Sequence, residues 1–318
     1  MLKTLRSKIV GCFKFNLPRK ENESISNISP ELIKKIQTIQ VKTNHLVNSV
    51  MMGEYVSAFK GRGMEFNEVR EYIAGDDIRL IDWNVTARMG HPFVKGFQEE
   101  RELTIMLIVD VSSSGEFGSV EQSKQEVAAE LASILAFSAI KNNDKVGLIV
   151  FSDRIEYVIR PQKGKAHIWK VIRAILNFQP KGRKTDFTTA LEYLLIAQKR
   201  KTVTFLISDF QVTKYEKILK LVNQKHDLIA IFISDPREKF LPADSGLVHL
   251  EDAETGELIV VDTHSERLRE GFRNLNEKKS KQLNRFLSTN GIDIINISVD
   301  QPLTEPIAKF FKMREKRH

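Results

Sequence analysis

Apolar runs that alternate with helical patterns constrain the fold of this chain more than any other feature. Residues 103–110 are hydrophobic at almost every position, which is typical of a strand covered on both faces. Residues 145–151, 202–208, 228–234 and 293–299 are also predicted strands, and stretches with helical signals lie between most of them. This alternation predicts an α/β fold, in which a mainly parallel sheet carries helices on both faces.

The helices are predicted from the spacing of their apolar residues. In the first one after the initial strand, Val127, Leu131 and Ile134 fall on a single helical stripe. The predicted helices of this region are 120–141, 166–176, 187–198, 214–225 and 266–289, with one more leading into the C-terminus. Two hairpins are also predicted: 154–160 pairs with 145–151 at a sheet edge, and 247–251 pairs with 257–262.

Changes in composition divide the chain into four predicted parts. Residues 1–29 form a basic tail and a polar linker, and residues 30–100 form a helix and a small strand-rich subdomain. Ser29 and Pro30 signal the start of that helix, as cap and first helical residue. Residues 101–308 form the sheet domain, and residues 309–318 form a second basic tail.

The net charge of +8 lies at the two ends of the chain. Residues 1–20 hold six basic residues and no acid, and residues 309–318 carry +4, which leaves −2 for the body between them. A nearly neutral body argues against a large nucleic-acid groove, so no nucleic-acid partner is expected. Apolar residues at helical spacing in 1–20 leave two alternatives open: a frayed soluble tail, or a basic amphipathic segment in peripheral contact with a membrane.

Cysteine use and hydropathy bear on the compartment. Cys12 is the single cysteine, so an intrachain disulfide is excluded and a reducing compartment fits. No apolar run approaches the roughly 18 residues that span a bilayer, and the N-terminus lacks the pattern of a secretory signal. We expect a cytoplasmic protein, with peripheral attachment at the inner face of the membrane as the alternative.

Three separate segments bring oxygen-bearing side chains to the ends of predicted elements. Asp110, Ser112 and Ser114 directly follow the first strand, and one carboxylate with two hydroxyls suits a hard cation such as Mg²⁺. Alone, this D-x-S-x-S pattern is more typical of a helix-capping loop. Thr185 lies in the loop before a predicted helix, and Asp209 ends the strand 202–208. Ligand sites in such sheets lie at the carboxyl ends of the strands, so the three segments are expected to converge.

These five residues resemble the metal-ion-dependent adhesion site (MIDAS) of von Willebrand A domains. The resemblance implies a von Willebrand A-like, Rossmann-like fold. It also implies that the two serines and, in one state, Thr185 coordinate the metal directly, whereas the acids often act through water. A carboxylate from a partner would fill the sixth position. Mg²⁺ is expected, with Mn²⁺ or Ca²⁺ as alternatives. Gly115 stands where many relatives carry Met, a departure that removes no ligand.

A second resemblance begins upstream of the first strand and covers about residues 50–300. Several short motifs are similar to bacterial proteins catalogued as domain of unknown function 58. These motifs are Gly61-Arg62-Gly63-Met64-Glu65-Phe66, Arg70-Glu71-Tyr72, Gly75-Asp76-Asp77-Ile78-Arg79, Ile81-Asp82-Trp83-Asn84 and Ser208-Asp209-Phe210. The resemblance implies an accessory role beside a MoxR-type AAA+ ATPase in protein maturation or complex assembly. The ATPase or a client protein would then supply the acidic residue.

Three functions remain open at this point. The leading hypothesis is a non-enzymatic, metal-dependent protein-interaction module. The second is a Mg²⁺-dependent phosphoryl-transfer or hydrolytic enzyme. Enzymes of the aspartyl-phosphate type usually carry a second acid two residues after the strand-end Asp, where this chain has Ser112, and no phosphate-binding glycine motif follows a strand. The third is a membrane-surface or RNA binder that uses the basic tails.

Other polar residues have structural alternatives. A dense polar and aromatic cluster is either a partner surface or, as we favour, an internal salt-bridge network that holds the N-terminal part to the sheet domain. Its members are Asp76, Asp77, Arg79, Asp82, Trp83 and Arg88. Asp186 either orients the metal site or caps the helix that begins at Phe187. The seven histidines show no metal-ligand spacing.

Overall fold

The structure is a computed structural model that describes residues 64–99, 102–116, 118, 122–176, 178, 182, 184–212, 214–241, 243, 246–251 and 257–317. The predictions for residues 1–63, which comprise the basic tail, the linker and the first helix, lie outside the described residues. Within the described ranges, every helix is too short or too polar to cross a membrane.

Strands make up three sheets in the described part of the chain. The strands are β1 (Met64–Glu71), β2 (Phe93–Glu99), β3 (Thr104–Asp110), β4 (Lys145–Phe151), β5 (Ile155–Gln162), β6 (Val203–Ser208), β7 (Asp227–Ser234), β8 (Leu247–Glu251), β9 (Leu258–Asp262) and β10 (Asp293–Ser298). The pairs β1–β2 and β8–β9 are separate antiparallel hairpins, and the other six strands form the main sheet.

The helices alternate with these strands along the chain. They are α1 (Trp83–Met89), α2 (Lys124–Lys141), α3 (Lys165–Leu176), α4 (Phe187–Ala197), α5 (Glu216–Lys225), α6 (Pro236–Lys239), α7 (Glu266–Thr289) and α8 (Thr304–Glu315). Two short 3₁₀ helices add to them, at Ile78–Leu80 and Ser113–Glu116.

The main sheet has the strand order β10-β7-β6-β3-β4-β5. All neighbours in it are parallel except β4 and β5, which form the predicted antiparallel edge hairpin. The chain starts in the middle at β3, moves outward to β5, and then returns to β6 to build the other half. This doubly wound order confirms the predicted α/β, von Willebrand A-like architecture. The chain reverses its direction of winding between the neighbouring strands β3 and β6, so their carboxyl ends form the topological switch point.

Alternate residues of the strands supply two hydrophobic cores, one on each face of the sheet. Leu107 and Val109 of β3 face the core that packs against α2, α3 and α8. Met106 and Ile108 face the core that packs against α4, α5 and α7. Because both faces are covered, β3 is apolar at nearly every position, as the sequence predicts.

Several element boundaries differ from the predictions. Helix α2 begins at Lys124 rather than near residue 120, because Ser123 and Glu126 form a capping box that fixes the first turn. At the other end, residues 309–315 of the predicted basic tail belong to α8, whose Phe310, Phe311 and Arg314 are buried.

The small subdomain is an antiparallel β1–β2 pair joined by a 3₁₀ turn and α1. Two acids of its polar cluster have their ion pairs inside the subdomain: Asp76 binds Arg70 at 2.6 Å and Asp82 binds Lys95 at 3.5 Å. The predicted salt bridges are therefore present for these two acids, inside the subdomain, and the contact of the cluster with the sheet domain stays a prediction. Trp83 is 69% exposed, as the partner-surface alternative would require.

Candidate metal centre

The loop after β3 holds three of the predicted ligands close together. Asp110 is 8% exposed, and its Oδ1 accepts a hydrogen bond from the backbone N–H of Ser112 at 3.0 Å. Its Oδ2 accepts one from the hydroxyl of Ser208 at 2.6 Å. The chain then turns into the 3₁₀ helix Ser113–Glu116, which brings the Ser112 Oγ to 3.0 Å from the Ser114 Oγ.

The helix-capping alternative for this loop does not hold for α2. The cap of that helix is Ser123, whose side chain accepts a hydrogen bond from the Glu126 N–H while the Glu126 carboxylate accepts one from the Ser123 N–H. The side chains of Asp110, Ser112 and Ser114 are therefore not needed to cap α2.

A small cavity lies at the switch point between β3 and β6. Asp110, Ser112, Ser114 and Asp209 line it, together with the start of α2. Its free volume is about 20 Å³, enough for one water molecule or one small cation. In a Mg²⁺ octahedron with bonds of 2.0–2.1 Å, neighbouring ligand oxygens lie about 2.9 Å apart. The 3.0 Å between the two serine hydroxyls is close to that separation, and it is also the length of the hydrogen bond that joins them. The described residues hold no cluster of three His, Cys, Asp or Glu side chains that could bind a metal, so any metal here would rely on the serine hydroxyls beside two carboxylates.

Asp209 lies at the same edge because it directly follows β6, and the backbone turns sharply after it. Phe210 has a φ of 53°, a left-handed conformation that costs on the order of 1 kcal/mol for a bulky residue. Two local hydrogen bonds stabilise this turn: the Phe210 N–H donates to Ser208 Oγ at 3.0 Å, and the Gln211 N–H donates to Asp209 Oδ1 at 3.2 Å. The ring of Phe210 is buried against Phe187.

Lys124, the first residue of α2, is a site residue that the sequence analysis missed. Its ammonium lies 2.6 Å from Asp209 Oδ2 and 2.6 Å from Glu238 Oε1, and the residue is only 2% exposed. A lysine in this position gives no local signal, because its partners lie 85 and 114 residues away. Glu238 lies in a segment that the sequence does mark as a helix start. Asp235-Pro236-Arg237-Glu238 has a capping box with Pro at the first helical position, and the segment begins α6 after β7.

Burial and charge shift the pKa values at this edge. Burial raises the pKa of the Asp110 carboxyl to about 6, although the hydrogen bonds from Ser208 and Ser112 act in the opposite direction. Burial alone would lower the pKa of Lys124, but the charges of Asp209 and Glu238 outweigh it and raise the pKa above its usual value. Lys124 is therefore protonated at neutral pH. A second cation beside Asp110 would favour the ionised form of the Asp110 carboxyl.

The net charge beside the cavity includes Lys124 and Glu238 as well as Asp110 and Asp209. Asp110, Asp209 and Glu238 contribute three carboxylates close to the cavity, and Lys124 neutralises one of them. The remaining charge of −2 equals the charge that a divalent cation neutralises. Because Glu238 and Lys124 cancel each other, the balance with Mg²⁺ is the same as for the two predicted acids.

Thr185 is at the same sheet edge but does not line the cavity. Its loop is attached to the end of β4, where the Asp186 N–H donates to the Ser152 carbonyl at 2.9 Å. Asp186 caps α4: its carboxylate accepts hydrogen bonds from the Thr188 N–H and the Thr189 hydroxyl. The capping alternative for Asp186 is confirmed, and the role of Thr185 as a ligand stays a prediction.

A protein-family comparison covers the residues that line the cavity. The model described as "Protein of unknown function DUF58" matches residues 68–282. The matched span begins in the small subdomain, contains Asp110, Lys124, Asp209 and Glu238, and ends within α7.

Relatives and solved structures are similar over most of the chain. An uncharacterized protein of Mycobacterium bovis is 27% identical over 290 residues, which is 90% of this chain and 91% of that protein. The conserved hypothetical protein BatB from Bacteroides thetaiotaomicron is 17% identical, with a TM-score of 0.44 over 67% of this chain and 99% of that one. The SpRpn10 VWA domain is 15% identical, with a TM-score of 0.38 over 65% and 93%. The fold assignment rests on the sheet topology itself.

Proposed function

This chain belongs to the DUF58 family of proteins of unknown function, and we propose that it is a metal-dependent protein-interaction module without catalytic activity of its own. The metal is Mg²⁺, with Mn²⁺ or Ca²⁺ as substitutes, and the ligand set is Asp110, Ser112, Ser114, Thr185 and Asp209. A carboxylate from a partner protein completes the coordination.

The convergence of oxygen donors at the switch point carries this proposal. Ser112 and Ser114 present hydroxyls 3.0 Å apart beside the buried Asp110 carboxylate. Mg²⁺ requires six oxygens in near-octahedral positions, and these side chains cover only part of that shell. Positions left to water can exchange for a carboxylate oxygen of a partner, which makes recognition depend on the metal.

Binding rather than catalysis is supported by the chemistry of the residues at the cavity. The Ser208 hydroxyl donates its hydrogen bond to Asp110, so it is not activated by a histidine or a neutral lysine. Lys124, whose raised pKa keeps it protonated between two carboxylates, cannot serve as a general base. Ser112 stands where an aspartyl-phosphate enzyme would carry its acid.

The proposed partner is a MoxR-type AAA+ ATPase or a client protein with an exposed acidic residue, and the proposed location is the cytoplasm, with peripheral contact at the inner membrane face as the alternative. The family resemblance supports the ATPase. The exposed Trp83 of the small subdomain offers an aromatic contact near which such a partner could bind.

The proposal is tested by co-purifying the full chain with a MoxR-type ATPase from the same organism, in Mg²⁺ and in chelator. We expect the wild-type chain to retain the ATPase in Mg²⁺ and to lose it in chelator, and Asp110→Ala to lose it in both. Asp144→Asn is a matched control, because Asp144 is buried and accepts a hydrogen bond from the Leu103 N–H at the opposite sheet edge. Equal retention by wild type and Asp110→Ala refutes the metal-dependent mode of binding.

A further inference from the structure

We infer that Lys124 is a built-in cation that competes with the divalent metal for Asp209 and thereby sets the metal affinity of the site. The inference rests on the metal centre proposed above and concerns its regulation. It assigns a positioning role to Lys124 and Glu238, neither of which is in the proposed ligand set.

The contacts of Lys124 are unusual for a lysine at a helix start. A cation at the first position of a helix faces the positive end of the helix dipole, and a lysine is rarely buried unless it is paired. Both disadvantages apply to Lys124, and they are offset by two carboxylates that each lie 2.6 Å from its ammonium. The Asp209 side chain is itself only 6% exposed, so the pair is shielded from bulk water.

These ion pairs restrict what Asp209 can do for a metal. Asp209 Oδ2 is bound to the ammonium and Oδ1 accepts the Gln211 N–H at 3.2 Å, so both carboxylate oxygens are engaged. Direct coordination through Oδ2 would place the metal beside the Lys124 ammonium, so the ammonium would have to withdraw towards Glu238. In the arrangement described, Asp209 contributes charge to the site, and the ammonium offsets that contribution.

Glu238 connects this charge balance to the loop that follows β7. Its Oε1 accepts hydrogen bonds from Lys124 at 2.6 Å and from the Gln211 side chain at 3.2 Å, and its Oε2 accepts one from the Asp235 N–H at 3.2 Å. The Glu238 carbonyl also accepts a hydrogen bond from Asn276 of α7 at 2.7 Å. Glu238 is therefore held in place independently of Lys124 and keeps its charge near the site when the lysine is removed.

Two substitutions are expected to move metal affinity in opposite directions. Lys124→Met removes one positive charge and leaves two carboxylates to attract the metal, so affinity should rise by about tenfold or more, given the Coulomb interaction of a divalent ion with a charge a few ångströms away. Glu238→Gln removes one negative charge while keeping a hydrogen-bond acceptor, so affinity should fall severalfold. Lys124→Arg keeps the charge and should stay within a few fold of wild type.

The experiment is a Mn²⁺ titration of the full chain, with free Mn²⁺ measured by electron paramagnetic resonance and folding checked by circular dichroism. Lys163→Met is the matched control, because Lys163 forms a 2.6 Å ion pair with Glu102 at the opposite edge of the sheet. Its Mn²⁺ affinity should equal that of wild type. A purely structural role for Lys124 would leave Mn²⁺ affinity unchanged or lower it after Lys124→Met, so a gain is diagnostic.

Tighter binding by Lys124→Met together with weaker binding by Glu238→Gln supports the inference. Unchanged or weaker binding by Lys124→Met, in a preparation whose wild type binds Mn²⁺, overturns the inference and leaves the metal centre standing. If Lys124→Met does not fold, Glu238→Gln decides: weaker binding supports the inference, and equal or tighter binding overturns it. Absence of Mn²⁺ binding in every variant refutes the metal centre itself and the inference with it.

Discussion

Replacement of Asp110 by Asn should stabilise the protein when no metal is present. Asp110 is 8% exposed, and burial raises the pKa of its carboxyl from 3.8 to about 6. The folded state binds more protons than the unfolded state between about pH 4 and pH 6, so this group's contribution to stability falls as the pH rises through that window. Above it, the folded protein carries the full penalty of a buried carboxylate. Asn has nearly the same shape and carries no charge.

The pKa shift gives the size of the effect. A shift of about two units, at 1.36 kcal/mol per unit, corresponds to about 3 kcal/mol. Asp110→Asn should therefore raise the free energy of unfolding by about 2–3 kcal/mol at pH 7.5 in chelator. A free metal concentration 100 times the dissociation constant adds about 2.7 kcal/mol to a protein that binds it. Only wild type should gain this, so the two proteins should become about equally stable in Mg²⁺.

Urea unfolding at pH 7.5, in chelator and in Mg²⁺, measures both parts of this prediction. Asp144→Asn serves again as the control: it leaves the metal site intact, so it should gain the same stability from Mg²⁺ as wild type. The reasoning fails if Asp110→Asn is less stable than wild type in chelator by more than about 1 kcal/mol. It also fails if Mg²⁺ stabilises the two proteins equally.

Three further substitutions test other parts of the structure. Burial lowers the pKa of His226 to about 4, so at pH 5 the unfolded histidine takes up a proton that the folded one does not. Between pH 7.5 and pH 5, wild type should therefore lose about 2 kcal/mol more stability than His226→Gln. Equal pH dependence of the two proteins in urea unfolding would contradict this. A Cβ at Gly182 would overlap the side chains of Ser152 and Asp153, which follow β4. Gly182→Ala should therefore lower the free energy of unfolding by about 1–3 kcal/mol and displace the loop of Thr185. Unchanged Mn²⁺ affinity in a destabilised variant would remove Thr185 from the ligand set. Phe187 is fully buried among aromatic rings, so Phe187→Ala should lower stability by about 3–5 kcal/mol in urea, and a loss below about 1 kcal/mol would be incompatible with this core.

The fold was predictable because each element carries its own periodicity. The apolar run of β3 shows that the strand is covered on both faces, and the helical pattern up to Lys141 places α2 against it. The predicted start of α2 was early because the apolar pattern does not reveal the cap. The Ser123 and Glu126 pair, which sets the start at Lys124, is the signal that should have decided it.

The site was predictable in part, for the same reason. Asp110, Ser112 and Ser114 are neighbours in the chain, and Asp209 is indicated by its position at the end of the apolar strand 202–208. Lys124 was missed because its partners are distant in the sequence and converge only through the doubly wound topology.

The end of the chain was misjudged because charge alone does not reveal pairing. Arg314 looks like part of a basic tail, yet it is 6% exposed and forms ion pairs with Asp227 and Asp293. Phe310 and Phe311 beside it are the local sign that this segment packs on the sheet.

The measurement that tests the central claim most directly is the anomalous diffraction of Mn²⁺ soaked into crystals of the full chain. We predict one strong peak at the carboxyl edge between β3 and β6, within bonding distance of the Oγ atoms of Ser112 and Ser114 and absent from crystals of Asp110→Ala. A wild-type map with no peak at this edge, or with Mn²⁺ bound elsewhere and both serine hydroxyls uncoordinated, would contradict the account.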